Sequence, residues 1–282
     1  MKTGLVLEGG GMRGIYVAGV LDVWMEEKIE TDGVIGVSAG AIHGCSYVSK
    51  QQGRSIRYYK KYAKDKRFMS FYSLITTGDI VGKDFCYDEI PNRLDIFDYD
   101  TFAKSSTDFY ATCTNIETGK AEYVLCKDLR KEIDYMRASA SLPCVSRIVE
   151  VDGMKLLDGG VADSIPIEAF RHLGYEKNIV VLTRPRDYRK KKENLFMTKQ
   201  MYRKYPKLIE AVATRHIHYN ETLDKLEQME KRGEVLVIAP STHLKVSRME
   251  KNLDKITQMY ELGRKDALEA LDEVRKFLGQ EA

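Results

Sequence analysis

A chain of 282 residues with 45 basic against 42 acidic side chains carries a net charge of only +3, too small to advertise nucleic acid or a strongly acidic partner. At 43% hydrophobic and 31% charged residues, with 6 prolines, the composition excludes collagen-like, low-complexity and disordered classes. It suits one α/β domain over 1–282, with a motif-bearing core over about 4–183 and a helical and strand completion over about 184–282.

In chain order, Gly4 to Leu7 reads as a short buried strand, Gly9 to Gly14 as a glycine turn, Ile15 to Lys28 as a helix, and Gly33 to Val37 as a second strand. Together they form a βαβ unit, whose crossover makes the two strands parallel. Helical spacing follows over Ala39 to Gln52 and Ser55 to Lys66. The aromatic stretch from Phe68 to Leu94 is less regular and fits either a cap or a buried connector. Phe109 to Ile116 and Ala121 to Cys126 read as strands, and Asp128 to Ser139 as a helix. Val145 to Val151 and Met154 to Leu157 flank Asp152-Gly153, a two-residue hairpin signal. Asn178 to Thr183 and Glu234 to Ala239 are further buried strands, set among amphipathic helical patterns over Thr198 to Lys231 and Ser247 to Leu278. The pattern is α/β with a mostly parallel sheet and helical layers.

The five scattered cysteines, Cys45, Cys86, Cys113, Cys126 and Cys144, offer neither a disulfide framework nor a zinc site. No apolar run approaches the length of a signal-peptide core or a membrane span, so the expected setting is cytoplasmic.

Gly36-Val37-Ser38-Ala39-Gly40 follows an apolar strand and opens a helix. A GxSxG in that context makes a strained elbow, its small flanking residues letting the chain turn tightly and present the serine hydroxyl. Gly9-Gly10-Gly11-Met12-Arg13-Gly14 satisfies GxGxxG and admits two uses. A dinucleotide site needs an acidic residue closing the second strand, yet Asp32 precedes that strand. An oxyanion hole needs only clustered N–H groups and a helix N-terminus, which the loop supplies.

A serine nucleophile needs a base, and two candidates stand. His243 follows the strand Val235 to Ala239, a place suited to an Asp/His pair, whereas His43, His172, His216 and His218 read as packing or surface residues. Asp158, in Leu156-Leu157-Asp158-Gly159-Gly160 at a strand end, is the other. An ordinary aspartate, with a pKa near 3.9, is a weak base and needs burial to strengthen it.

GGGMRG, then GVSAG, then DGG, with Arg137 to Pro143 ahead of the aspartate strand, resembles the patatin-like phospholipase family over at least Gly4 to Ile167. The resemblance implies a three-layer α/β/α sandwich with a mostly parallel central sheet, and lipid acyl-ester hydrolysis by a Ser/Asp dyad without histidine, metal or cofactor. It maps the nucleophile onto Ser38, the base onto Asp158, and the oxyanion donors onto Gly9, Gly10, Gly11, Met12, Arg13, Gly14 and Ala39. Gly36, Gly40, Gly159 and Gly160 become the motif glycines. An acyltransferase using the same residues, and a non-catalytic lipid-binding module, are the alternatives.

The expected partner is a lipid or fatty-acyl ester substrate, with no nucleic acid. Ten Lys or Arg residues lie between Arg184 and Lys207 against only Asp187 and Glu193, a local excess compatible with transient contact with a membrane surface or with a solvated loop.

Overall fold

The short apolar runs assemble into a single eight-stranded sheet in a computed structural model that describes residues 1–280. In chain order the elements are β1 (Lys2–Leu7), α1 (Ile15–Glu26), β2 (Gly33–Val37), α2 (Ala39–Val48), α3 (Arg54–Tyr62), α4 (Phe71–Thr77), α5 (Tyr99–Lys104), β3 (Asp108–Asn115), β4 (Ala121–Cys126) and α6 (Leu129–Ser139). There follow β5 (Val149–Val151), β6 (Met154–Asp158), α7 (Ile167–His172), β7 (Tyr175–Val181), α8 (Phe196–Met201), α9 (Pro206–Lys231), β8 (Val235–Ile238), α10 (Leu253–Glu269) and α11 (Leu271–Leu278).

β3, β2, β1, β7 and β8 are parallel neighbours in that order, and β4, β5 and β6 join antiparallel around β3. The parallel strands are buried on both faces, which is why β2 has no exposed residue and reads as an unbroken apolar run. Alternation along β1 sends Leu5 and Leu7 to one face and Val6 to the other. Leu5, Leu7 and Val34 pack under α1, α2 and α10, while Val6, Ile35 and Val180 pack under α7 and α9 through Phe170, Tyr219 and Leu223. The result is a three-layer α/β/α sandwich. Each fully buried apolar side chain in these layers contributes about 1.5–3 kcal/mol relative to exposure.

The C-terminal part belongs to the same layers. β8 extends the sheet beside β7, and α10 lies against α1, where a side chain at Gly19 or Gly263 would overlap the Tyr260 or Tyr16 carbonyl of the facing helix. Two buried hydrogen bonds tie that contact, from Tyr16 Oη to Asp266 at 2.9 Å and from Tyr260 Oη to Asp22 at 2.7 Å.

Asp152 and Gly153 both have positive φ, 49° and 76°, as a two-residue turn of the primed type requires. Several expected elements differ in extent: α2 ends at Val48 rather than Gln52, α3 at Tyr62 rather than Lys66, β7 runs from Tyr175 to Val181 rather than from Asn178 to Thr183, and four differ more. The strand before this hairpin is confined to Val149–Val151, since the preceding residues leave the sheet. The pattern over Thr198 to Lys231 breaks between Met201 and Pro206, because proline has no N–H to continue a helix and instead opens α9. The last pattern starts at Leu253, capped by the Asn252 side chain, and divides at Ala270. The stretch from Phe68 contains α4, capped by Ser70, and a widened helical segment, Phe85–Leu94, that carries Pro91 inside it.

Candidate active site

β3 brings the two candidate residues together. β4 occupies one edge of β3 from Phe109 to Thr114, so β2 and β6 both lie on the other edge. β2 runs parallel to β3 and stops with Val37 opposite Thr112, whereas β6 runs antiparallel and stops with Asp158 opposite Cys113. The carboxyl ends of β2 and β6 therefore meet head to head, with Ser38 following one and Asp158 closing the other.

Ser38 adopts φ 53° and ψ −121°, a strained conformation for a residue with a Cβ. Its neighbours leave no room for side chains. A Cβ on Gly36 would stand 2.5 Å from Ala41 Cα, one on Gly14 2.5 Å from Ala39 Cβ, and one on Gly40 would overlap the Leu7 carbonyl. On Gly9 a Cβ would come within 2.7 Å of the Val37 carbonyl. The Ser38 N–H donates to Ser139 Oγ at 2.9 Å, so the end of α6 braces the turn. That brace lies within the Arg137 to Pro143 segment noted in the sequence, but nothing local marked Ser139 as its agent.

Asp158 is only 2% exposed. Its Oδ1 accepts the Gly160 N–H at 2.8 Å, while Oδ2 is buried with no hydrogen-bond partner. Burial raises the carboxyl's pKa, and Arg215, the Ser38 hydroxyl, the Gly160 N–H and Arg248 pull it back down. Gly159 lets β6 approach β3, since a Cβ there would overlap the Thr112 carbonyl.

In the glycine loop, Gly11 takes φ 57° and Gly11 to Gly14 form one tight helical turn. The Met12 N–H donates to the Arg248 carbonyl at 3.1 Å and the Arg13 N–H to the Gly10 carbonyl at 3.3 Å, so both amides are engaged within the protein. The N–H groups of Gly10, Gly11 and Ala39 have no acceptor among the described residues. Of these, Ala39 opens α2, where the helix dipole adds positive partial charge.

Ser38 borders two cavities of opposite character. One, of about 630 Å³, is walled chiefly by apolar groups including Ile42, Tyr59, Met136, Leu142, Phe196 and Met197. The other, of about 40 Å³, is polar and contains Asp158, Arg13, Arg184, Lys190, Arg215 and Arg248. Arg215 and Arg248 escaped sequence reasoning because they sit in a long charged helix and a connecting loop, where cations are ordinarily solvated.

No histidine lines either cavity among the described residues. His43 is buried with its Nδ1 2.9 Å from Ser55 Oγ, and burial drives its pKa down to about 3. His243, the alternative base, lies on the surface with its Nε2 3.1 Å from Asp187.

The chain is an α/β protein of a lipid-ester hydrolase family. The chain matches the patatin-like phospholipase family over residues 5–171 and belongs to it. Residues 205–279 also match a domain family of unknown function, DUF6363. The uncharacterized protein YjjU of Escherichia coli K12 is 24% identical over an alignment covering all of this chain and 80% of that protein. The lysophospholipase nte1 of Aspergillus niger is 32% identical over 61% of this chain, which spans 11% of the fungal protein's length. The structure of VipD from Legionella pneumophila superposes with a TM-score of 0.47 at 14% identity, covering 96% of this chain and 67% of that one. No helix among the described residues is long and apolar enough to cross a membrane.

Proposed function

We propose that this protein hydrolyses the acyl ester of phospholipids or lysophospholipids through a Ser38/Asp158 dyad. The observation that carries the reading is the pairing of a strained serine with a buried carboxylate whose Oδ2 has no partner. A general base must hold a free lone pair within reach of the proton it takes, in surroundings that raise its basicity.

In this reading Asp158 Oδ2 accepts the Ser38 Oγ proton as Oγ bonds to the ester carbonyl carbon. The resulting oxyanion lies against the free N–H groups of Gly10, Gly11 and Ala39, each donor contributing about 3 kcal/mol to the transition state. Asp158 returns the proton to the leaving alcohol as the C–O bond breaks. It next takes a proton from water, whose oxygen attacks the acyl-enzyme, and Ser38 recovers the proton as the fatty acid departs. The apolar cavity beside Ser38 is suited to the acyl chain. The name lysophospholipase carried by the fungal relatives supports a lysophospholipid as one substrate class.

The substrate resides in membranes, and the exposed side chains of Phe71, Tyr72 and Ile75 on α4, with Phe196 and Met197 on α8, suit transient insertion into a lipid surface. Basic residues between Arg184 and Lys207 add attraction to anionic headgroups.

Labelling with a fluorescent fluorophosphonate tests the reading. Wild-type protein labels and turns over p-nitrophenyl esters, Ser38→Ala loses both, and Asp158→Asn loses turnover at least 1000-fold. Turnover surviving in either variant refutes the dyad.

A further inference from the structure

The small polar cavity beside Ser38 holds more cations than its chemistry as a proton-transfer site requires. Arg13, Arg184, Lys190, Arg215 and Arg248 line it against the carboxylates of Glu8 and Asp158. Glu8 is already committed, accepting from the Thr183 N–H at 2.6 Å, from Thr183 Oγ1 at 2.9 Å and from Tyr219 Oη at 2.8 Å. Glu193 faces Arg215 at 3.3 Å and Arg248 at 3.9 Å. Arg13, Arg184 and Lys190 form no salt bridge among the described residues.

Arg13 is 8% exposed, and its Nε, like that of Arg215, is buried without a hydrogen-bond partner. Burial lowers the Arg13 pKa to about 10 and the Lys190 pKa to about 8, with neighbouring arginines adding to both shifts. Of the five, Arg13 and Arg215 are largely buried while Arg248 is about half exposed, and buried cations that repel one another are costly unless an anion joins them. Four of the five lie beyond the 5–171 segment matched by the family, so this concentration of charge comes from the C-terminal part of the chain.

The cavity's size and walls narrow the anion. At about 40 Å³ and lined by five cations, it is a small site suited to a compact anion such as a phosphate. A quaternary ammonium would need open aromatic faces. The two tyrosines present are occupied, Tyr188 by Arg184 at 4.5 Å and Tyr219 by Lys190 at 4.4 Å from the ring centres. Ser38 stands in the walls of both this cavity and the apolar one, so a single ligand can reach across it with a phosphate on one side and an acyl chain on the other.

We propose that this cavity binds the terminal phosphate of an acyl glycerophosphate, selecting a lysophospholipid with a doubly charged headgroup over neutral and choline-bearing acyl esters. The inference deepens the proposed function and rests on it.

The test compares kcat/KM for 1-oleoyl-lysophosphatidic acid, 1-oleoyl-lysophosphatidylcholine and 1-oleoylglycerol, each at low mole fraction in neutral detergent micelles. The proteins are wild type, Arg184→Gln and Lys190→Gln. Calorimetry on Ser38→Ala with lysophosphatidic acid, oleoylglycerol and inorganic phosphate runs in parallel. Wild type favours lysophosphatidic acid at least 10-fold over the other two, and each substitution lowers that ratio at least 5-fold. Equal rates on the three lipids, or a ratio unmoved by both substitutions, overturns the inference. Inorganic phosphate binding as tightly as lysophosphatidic acid also overturns it, assigning the cavity to free phosphate. If no lipid is turned over, the hydrolase reading fails by itself, and the headgroup inference is decided by whether Ser38→Ala binds lysophosphatidic acid at least 10-fold more tightly than oleoylglycerol.

Discussion

Ser38 and Asp158 are neighbours because the strands that lead to them end against each other on one edge of β3, Val37 opposite Thr112 and Asp158 opposite Cys113. One strand therefore sets the spacing of both residues, and neither depends on a flexible loop for its position. The adjoining glycines keep the junction tight, which has consequences for stability as well as chemistry.

The positive φ of Ser38 stores strain that a residue without Cβ does not feel. Ser38→Gly is expected to raise the free energy of unfolding by about 1 kcal/mol while abolishing ester turnover. Urea denaturation of the two proteins measures this, and an unchanged or lower midpoint for the glycine variant contradicts it.

Burial raises the Asp158 pKa, and Arg215 is the largest influence opposing that rise. Since the base must be ionised, the acid limb of kcat/KM is expected above the ordinary aspartate range near 3.9, and Arg215→Gln moves it to still higher pH. A pH–rate profile in which Arg215→Gln shifts the limb downward or not at all refutes this. Stability carries the opposite sign from the usual salt-bridged aspartate. A carboxyl whose pKa is higher folded than unfolded destabilises the fold above the folded value and ceases to do so below the unfolded value. Asp158→Asn should accordingly raise Tm near pH 8, with the gain vanishing as pH falls below about 3.9.

The two glycines after Asp158 are not equivalent. A Cβ at Gly159 would overlap the Thr112 carbonyl and push β6 from β3, whereas one at Gly160 would meet Asp158 Oδ1 at 3.0 Å and Arg215 Nη2 at 3.1 Å, side-chain atoms that can give way. Gly159→Ala is expected to lose about 3 kcal/mol or more and Gly160→Ala less than about 1 kcal/mol, with folding retained in the latter. Thermal melts of both variants decide it, comparable losses being the contrary result.

Membrane contact is carried in this reading by exposed apolar side chains, among them Ile75 at 84% and Phe196 at 67% exposure. Replacing either by serine removes about 2 kcal/mol of insertion energy and should weaken binding to phosphatidylglycerol-containing vesicles roughly 10-fold or more. Vesicle sedimentation checks this, and undiminished binding by the double variant would place the contact elsewhere.

Local pattern made much of the fold legible. The strands β1, β2, β3, β4 and β7, the hairpin at Asp152-Gly153 and the elbow at Ser38 follow from period, burial and glycine spacing, all of which act over a few residues. Ser38 was legible in the same way, whereas Asp158 stood beside His243 as a candidate base until the family resemblance mapped it. The interruption between α8 and α9 was encoded too, in Pro206, but amphipathic periodicity on both sides obscured it.

By itself, then, the amino-acid sequence determined the α/β class and the parallel core, because each depends on short-range geometry; beside Ser38 it offered two candidate bases, and the family resemblance favoured Asp158 over His243. Only the tertiary structure decided that β6 enters antiparallel on the same edge of β3 as β2, beyond the end of β2, that Ser139 braces the elbow, and that His243 faces solvent. It likewise decided that Arg184, Lys190, Arg215 and Arg248 converge beside Arg13. Strand register and charge convergence arise from pairing between distant segments, where burial and sheet closure select the partners and no local signal in the chain records the choice.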